Sequence, residues 1–219
     1  TWLGQFVAGQ LGGTLTNITV TTGDTGAIAM GIGGFNSRQT ALAGSSAHLA
    51  AIRVREKALL VAGKILDLPP DALEIDGEVV HAKARPRTEV KLAQLARAVA
   101  GVPGFTLPGG VTPGLEATGN FVRDEMAFAN GSGAAEVEVD AETGVVRVVK
   151  FVIAHDCGRI INSMIVDGQI VGAVAHGIGN ALFEWMRFDE GCQPLTATFA
   201  DYLLIGSAET PHIDVLHWE

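Results

Sequence analysis

Apolar residues fall on helical spacing over residues 2–12, so a helix is expected there, stopped by Gly12-Gly13. "NITVTT" (17–22) alternates like a strand, and the Gly-rich residues 23–40 read as a long loop. From Ala41 to about Leu66 one long helix is predicted. Arg53, Glu56, Lys57 and Lys64 share a solvent stripe, and most other positions are Ala, Leu, Ile or Val, the pattern of a mostly buried helix. Arg55 lies within the apolar arc and is expected to snorkel or find a partner. Pro69-Pro70 ends the helix, a short strand pair is expected about Asp76-Gly77, and a modest helix spans 88–100. Residues 101–114 read as a surface connection between two lobes, roughly 1–100 and 115–219.

Residues 134–155 give the clearest hairpin, with Glu136 and Glu138 alternating with Val137 and Val139, and Gly144 in the turn. The returning strand is apolar on both faces apart from Arg147 and Lys150, which predicts a central place in a sheet. A glycine-bearing helix at about 163–185, a turn at 188–194 and short strand or helix segments complete the chain. Helices and strands without regular βαβ alternation indicate the α+β class.

Composition narrows the function. Hydrophobic residues make up 47% of the 219, enough for a well-filled core. Fifteen Lys and Arg against 24 Asp and Glu give a net charge of −9, with no basic tract, which argues against nucleic acid or an anionic membrane as the main partner. Cys157 and Cys192 stand in dissimilar contexts, which is no disulfide framework and fits a reducing, cytoplasmic compartment. No apolar run of about 20 residues offers a membrane span. The first residues lack a signal peptide's features and start as if already within a helix. The last read as a strand edge, so a piece of a longer protein is expected.

The candidate chemistry lies in two segments. In the first, "GIGGFNSRQTALAG" (31–44), Gly-rich backbone feeds a helix start, and Asn36, Ser37, Arg38, Gln39 and Thr40 follow Gly34-Phe35. Arg38 suits a phosphate and the hydroxyls suit pterin- or nucleotide-like groups. A cluster that merely caps the long helix is the competing explanation. The spacing is neither a dinucleotide fingerprint nor a P-loop.

In the second, "IAHDCGRIINSMIVDGQIVGAVAHGIGNAL" (153–182), a buried strand ends at His155 and the chain turns at Asp156-Cys157-Gly158. Asn162 or Ser163 then caps a helix whose N-terminus favours an anion. Gly168, Gly172, Ala175 and Gly179 form one smooth stripe, and Gln169 sits beside it. Such a stripe admits a neighbouring backbone or a flat ligand; tight helix-on-sheet packing with a satisfied core glutamine is the alternative. Six histidines and two cysteines build no protein-ligated metal motif, and His176 is expected as a satisfied core histidine. Cys157 as a hydrolase nucleophile lacks a base, since the adjacent strand residue His155 points to the opposite face.

The stretch "DCGRIINSMIVDGQIVGAVAHGIGNALFEWMRFDEG", with "GGFNSRQTALAG" upstream, resembles the molybdopterin-binding large subunit of the xanthine oxidase family of molybdenum hydroxylases. Within that family the resemblance points to aerobic carbon monoxide dehydrogenase-like large chains, and "TATFADYLL" (196–204) and "AETPHIDVLH" (208–217) extend the likeness. The resemblance implies mixed sheets packed with long helices, forming part of a molybdopterin-binding domain. It implies a molybdenum cofactor, in bacterial members the molybdopterin cytosine dinucleotide, and oxidative hydroxylation with a glutamate as general base. It further implies iron–sulfur clusters and FAD on partner domains or subunits, in an oligomeric, non-membrane complex. The family's serine loop maps onto Gly34 through Thr40, its D-C-G loop onto Asp156, Cys157 and Gly158 with Asn162 after it, and its pterin-bonding glutamine onto Gln169. Its G-Q-G loop is expected before Thr1 and its catalytic glutamate beyond Glu219. The chain would then be one wall of the site, without a catalytic residue. Whether the substrate is CO, an aldehyde or an N-heterocycle is left open, and so is a cofactor-free scaffold or assembly module of the same fold.

Overall fold

A computed structural model describes residues 2–28, 31, 33–101 and 103–219. The chain divides into two compact units, one reaching Met126 and one from Ala127 to Glu219.

In the first unit, helix α1 (Trp2–Leu11) stops as expected at Gly12. Gly12 has φ +66° and donates its N–H to the Ala8 carbonyl at 2.8 Å. A Cβ there would sit 2.9 Å from the Gly77 nitrogen, so both the left-handed turn and the close approach require glycine. The strand expected over 17–22 does not form. A single turn of 3-10 helix (Leu15–Asn17) takes its start, and the remainder is coil, exposed beyond the half-buried Ile18 and unpaired among the described residues. Alternation of Val and Thr makes a strand only where another edge receives it.

The long helix opens with a widened π turn (Thr40–Gly44) and continues as α2 (Ser45–Leu66). Asp67, with φ +53°, ends it ahead of the proline pair. Arg55 donates to the Gln10 carbonyl at 2.7 Å, satisfying one of the last carbonyls of α1. The predicted solvent stripe has a second task. Arg53 bonds the Thr118 carbonyl, Lys64 the Thr106 carbonyl, and Lys57 Nζ the Thr112 hydroxyl at 3.1 Å, holding the 103–121 connection along α2. A Cβ at Gly119 would overlap the Ser46 carbonyl, so the connection lies directly on the helix backbone.

Strands β1 (Leu73–Asp76) and β2 (Val79–Ala82) form the expected hairpin, its turn made by Gly77 and Glu78 at φ +55° and +72°. A third strand, β3 (Arg85–Lys91), adds antiparallel to β2 and was not foreseen. Its charges hid it, and its edge position tolerates Pro86. Because Glu89, Val90 and Lys91 pair with β2, helix α3 (Leu92–Val99) starts four residues later than position 88. Gln94 Oε1 receives the Lys91 N–H at 3.0 Å across its first turn. Leu95 and Val99 of α3, Val61 of α2 and Val80 of β2 are all 0% exposed and form the centre of this unit's core.

In the second unit, β4 (Asn130–Val139) and β5 (Val146–Asp156) form the long hairpin, with Asp140 Oδ1 receiving the N–H groups of Glu142 and Thr143 at 2.8 Å in the turn. Strand β6 (His212–His217) pairs parallel to β5, giving the order β4-β5-β6. Strand β5 is therefore central, as expected, in a mixed sheet. Helix α4 (Ser163–Leu182) lies in the crossover between the parallel strands, the one βαβ connection among the described residues. Only Ile170, Val174, Ile178 and Gly179 of α4 are buried. His176, expected in the core, is exposed, because residue 176 lies off the 170–174–178 line that meets the rest of the unit.

Across the parallel pair, Asp214 receives Lys150 Nζ at 2.7 Å and faces His212 Nε2 at 2.9 Å. The Lys150 hydrogen bond holds the Asp214 carboxyl below the ordinary carboxylate range, and Asp214 raises Lys150 above the usual lysine value. A depressed acid stabilises above its unfolded pKa and loses that contribution as pH falls through the folded one. A raised lysine stabilises below its unfolded pKa and loses it as pH rises through the folded one. The pair is thus at full strength between those limits. Lys150→Met should move the Asp214 carboxyl midpoint up toward the ordinary range in an NMR titration; an unmoved midpoint would refute the assigned cause.

Candidate cofactor-binding site

Both predicted segments sit where strands or loops deliver chain into a helix, one in each unit. In the first unit, Gly33 has φ +92°, and Asn36 and Ser37 follow with φ +57° and +51°. Two consecutive non-glycine residues in the left-handed region carry a conformational cost of order 1 kcal/mol or more each, and such strain concentrates where a ligand uses the backbone's shape. Phe35 is 58% exposed and carries the Arg38 guanidinium 5.2 Å above its ring centre. Gln39 folds back so closely that a Cβ on Gly34 would overlap its side-chain amide.

The loop passes into the helix by the Arg38 carbonyl accepting the Leu42 N–H at 2.8 Å. No side chain caps this start: Gln39 makes no capping bond, and Asn36, Ser37 and Thr40 have no side-chain partner among the described residues. The helix-capping explanation of the polar cluster therefore fails. The π turn beginning at Thr40 is a further local irregularity of the kind enriched at functional sites.

In the second unit, β5 delivers Asp156, whose Oδ1 receives the Gly158 N–H at 2.8 Å in a tight turn with Gly158 at φ +70°. Cys157 is exposed at the tip, its Sγ 3.8 Å from the Gly158 carbonyl. Asn162, with extended φ −147°, caps α4 by accepting the Ile165 N–H at 3.1 Å, which decides between the two expected caps. The helix thereby aims its partial positive charge at the Asp156–Ile161 turn.

The glycine stripe divides along the helix. Around Gly179 a Cβ would lie 2.9 Å from Ile205 Cγ2 and from Glu184 Oε1, so here glycine serves close packing. Tyr202 closes that end, donating to Glu184 Oε2 at 2.6 Å; this bond raises its hydroxyl pKa. At Gly168 and Gly172 a Cβ would meet nothing within 4 Å. Gln169 beside them is exposed and has no hydrogen-bond partner among the described residues, so it is no satisfied core glutamine. One acceptor and two donors of its amide face outward, the inventory needed to bond the edge of a pterin.

Sequence reading missed His217 and Glu219. His217 Nε2 meets Asp167 Oδ1 at 2.6 Å, and Glu219 Oε1 receives the Ile160 N–H at 2.7 Å. Their spacing from the turn, some fifty to sixty residues, left no local signal. Among the described residues no group of three or more His, Cys, Asp or Glu could hold a metal ion, and no helix is long and apolar enough to cross a membrane.

Similarity to known proteins shows the family of the chain. Residues 1–211 match the family model described as Molybdopterin cofactor-binding domain. The chain is 36% identical over 214 residues to the gamma subunit of the 6-hydroxypseudooxynicotine dehydrogenase complex of Paenarthrobacter nicotinovorans, covering 98% of this chain and 27% of that protein. It is 31% identical to the carbon monoxide dehydrogenase large chain of Afipia carboxidovorans, covering 94% of this chain and 25% of that one. The crystal structure of quinoline 2-oxidoreductase from Pseudomonas putida 86 superposes with a TM-score of 0.88 at 34% identity, over 100% of this chain and 28% of that one. The chain thus spans about a quarter of the length of the relatives it matches. It belongs to the molybdopterin cofactor-binding domain family, within the xanthine oxidase family of molybdenum hydroxylases.

Proposed function

We propose that this chain contributes contacts to the molybdenum cofactor in the large subunit of a molybdenum-dependent hydroxylase or dehydrogenase. The observation that carries the reading is the exposed amide of Gln169 beside Gly168 and Gly172, where, apart from the helix's own turns, no described residue lies within 4 Å of where a Cβ would stand. It fits a flat, hydrogen-bonding group. Gln169 bonds the pterin edge. Asp156, Cys157 and Gly158 present a tight turn at the α4 N-terminus, and Asn162 fixes the direction in which that helix points. Gly34, Phe35, Asn36, Ser37, Arg38, Gln39 and Thr40 meet the cofactor's polar tail with a strained backbone, the short polar side chains of Asn36, Ser37 and Thr40, and a guanidinium suited to phosphate.

When bound, the cofactor supplies the redox chemistry of hydroxylation. This chain's residues hold and orient it, and none of them is the general base, which we place beyond Glu219 in a longer subunit. The cofactor form is the cytosine dinucleotide. Iron–sulfur clusters and FAD on partner domains or subunits would take up the electrons, in an oligomeric complex of the cytoplasm. The relatives' own names support a subunit role: one is called subunit gamma of a complex and another a large chain. Those names also span carbon monoxide and a nicotine derivative, so the shared segment goes with the cofactor and not with one substrate class.

The test is metal and pterin analysis of the protein carrying this chain, expressed with sufficient molybdenum. Gln169→Ala and Ser37→Ala should each reduce molybdenum per protein about fivefold under limiting cofactor, the scale of one lost hydrogen bond. A cofactor-free scaffold would hold no molybdenum, or hold the same amount in both variants.

A further inference from the structure

The cysteine turn is held from outside by a strand that ends more than fifty residues later. Beyond β6, the Trp218 N–H donates to the His155 carbonyl at 3.0 Å, extending the parallel ladder to the edge of the turn. One residue on, Glu219 Oε1 takes the Ile160 N–H at 2.7 Å. On the same strand end, His217 Nε2 meets Asp167 Oδ1 at 2.6 Å on α4, two residues before Gln169. The turn is thus gripped on its far side, and the helix carrying Gln169 is tied to the same strand.

We propose that Glu219 is a positioning residue for the cofactor-facing turn Asp156–Ile161. Its carboxylate fixes the Ile160 amide by a charge-assisted hydrogen bond, and so sets where Cys157 and Gly158 present their backbone. The Asp156 side chain shapes the turn from within through Gly158, and Asn162 fixes the helix that follows. The intervening Cys157–Ile160 stretch takes its long-range side-chain anchor from Glu219. A carboxylate acceptor is stronger than a neutral one and its two oxygens tolerate small rotations, which suits a clasp between segments 59 residues apart. This inference rests on the cofactor reading for its consequence, though the clasp itself does not.

Three variants in the protein that carries this chain separate the possibilities: Glu219→Ala, Glu219→Asp and Glu219→Gln. Alanine removes the acceptor, aspartate withdraws it by one methylene while keeping the charge, and glutamine keeps an oxygen in place without charge. In protein produced under molybdenum starvation, hydrogen exchange of peptides spanning 157–161 should quicken about tenfold in the alanine and aspartate variants, and only about threefold in glutamine, which keeps the acceptor but not the charge. Amides of β1–β3 serve as an internal reference for global unfolding. With molybdenum supplied, the first two variants should hold about a third of the wild-type molybdenum, and glutamine should hold more than either.

Wild-type exchange in Glu219→Ala, or a glutamine variant as loose as alanine, overturns the clasp. Quickened exchange with unchanged molybdenum overturns the positioning role. A wild-type protein without molybdenum refutes the cofactor reading and leaves the exchange result to decide the clasp.

Discussion

Leu95→Ala should destabilise the protein by about 3 kcal/mol, a large part of the 5–15 kcal/mol typical of a folded domain. Leu95 is the largest fully buried side chain among the described residues and stands where α3 meets α2 and the first sheet. Helix α3 has only eight residues, too few to be stable alone, so its place depends on what Leu95 and Val99 bury. Truncation removes the transfer free energy of three carbons and leaves a cavity in the buried cluster that Leu95 shares with Val61 of α2 and Val80 of β2. For a chain of this size the melting point should drop by about 6–12 °C in calorimetry. Leu60→Ala is the control: on α2 but 44% exposed, it should cost under about 1 kcal/mol. Equal shifts in the two variants would mean that the core is not centred where the burial places it.

That core was legible because helical periodicity and burial coincide in α2, and because the Asp76–Gly77 turn announces its hairpin. The third strand was not. Residues 85–91 carry Arg85, Arg87, Glu89 and Lys91 on a solvent edge, and their pairing is set by β2, not by their own pattern. The reverse error came at 17–22, where the alternation is present and no partner arrives. The parallel β5–β6 pairing was equally invisible, since its partners stand some sixty positions apart.

The site divides in the same way. Asn162, Gly158 and the glycine stripe carry local rules for caps, left-handed turns and close approach, so they could be picked out from residue types. Which function each glycine serves could not. Gly179 and Gly172 follow one periodicity, yet one packs on Ile205 and the other faces outward, and only the fold of the 183–206 segment decides between them. The strain at Asn36 and Ser37 was likewise hidden, because neither residue type demands the left-handed region. Glu219 was hidden for the opposite reason, since a carboxylate at a strand end is ordinary in sequence and gains its role only from what lies beside it.

Substitutions at Gly172 should act with opposite signs on stability and on cofactor content. Glycine in a helix interior costs about 1 kcal/mol relative to alanine. A Cβ at Gly172 meets nothing within 4 Å, so Gly172→Ala should stabilise the 219-residue chain by about that amount, raising its melting point by about 2–4 °C. Leucine, also a good helix former, should be tolerated almost as well. The same side chain would stand one turn from the Gln169 amide, across the surface proposed to receive the pterin. Gly172→Leu in the protein carrying this chain should therefore lower molybdenum per protein about thirtyfold, the cost of overfilling a packed contact. A more stable chain that loads no cofactor is hard to explain as a folding defect. Full molybdenum content in Gly172→Leu would remove the stripe from the site and return the glycines to a purely structural role. A Gly172→Ala variant that melts lower would show that some part of the protein already packs there.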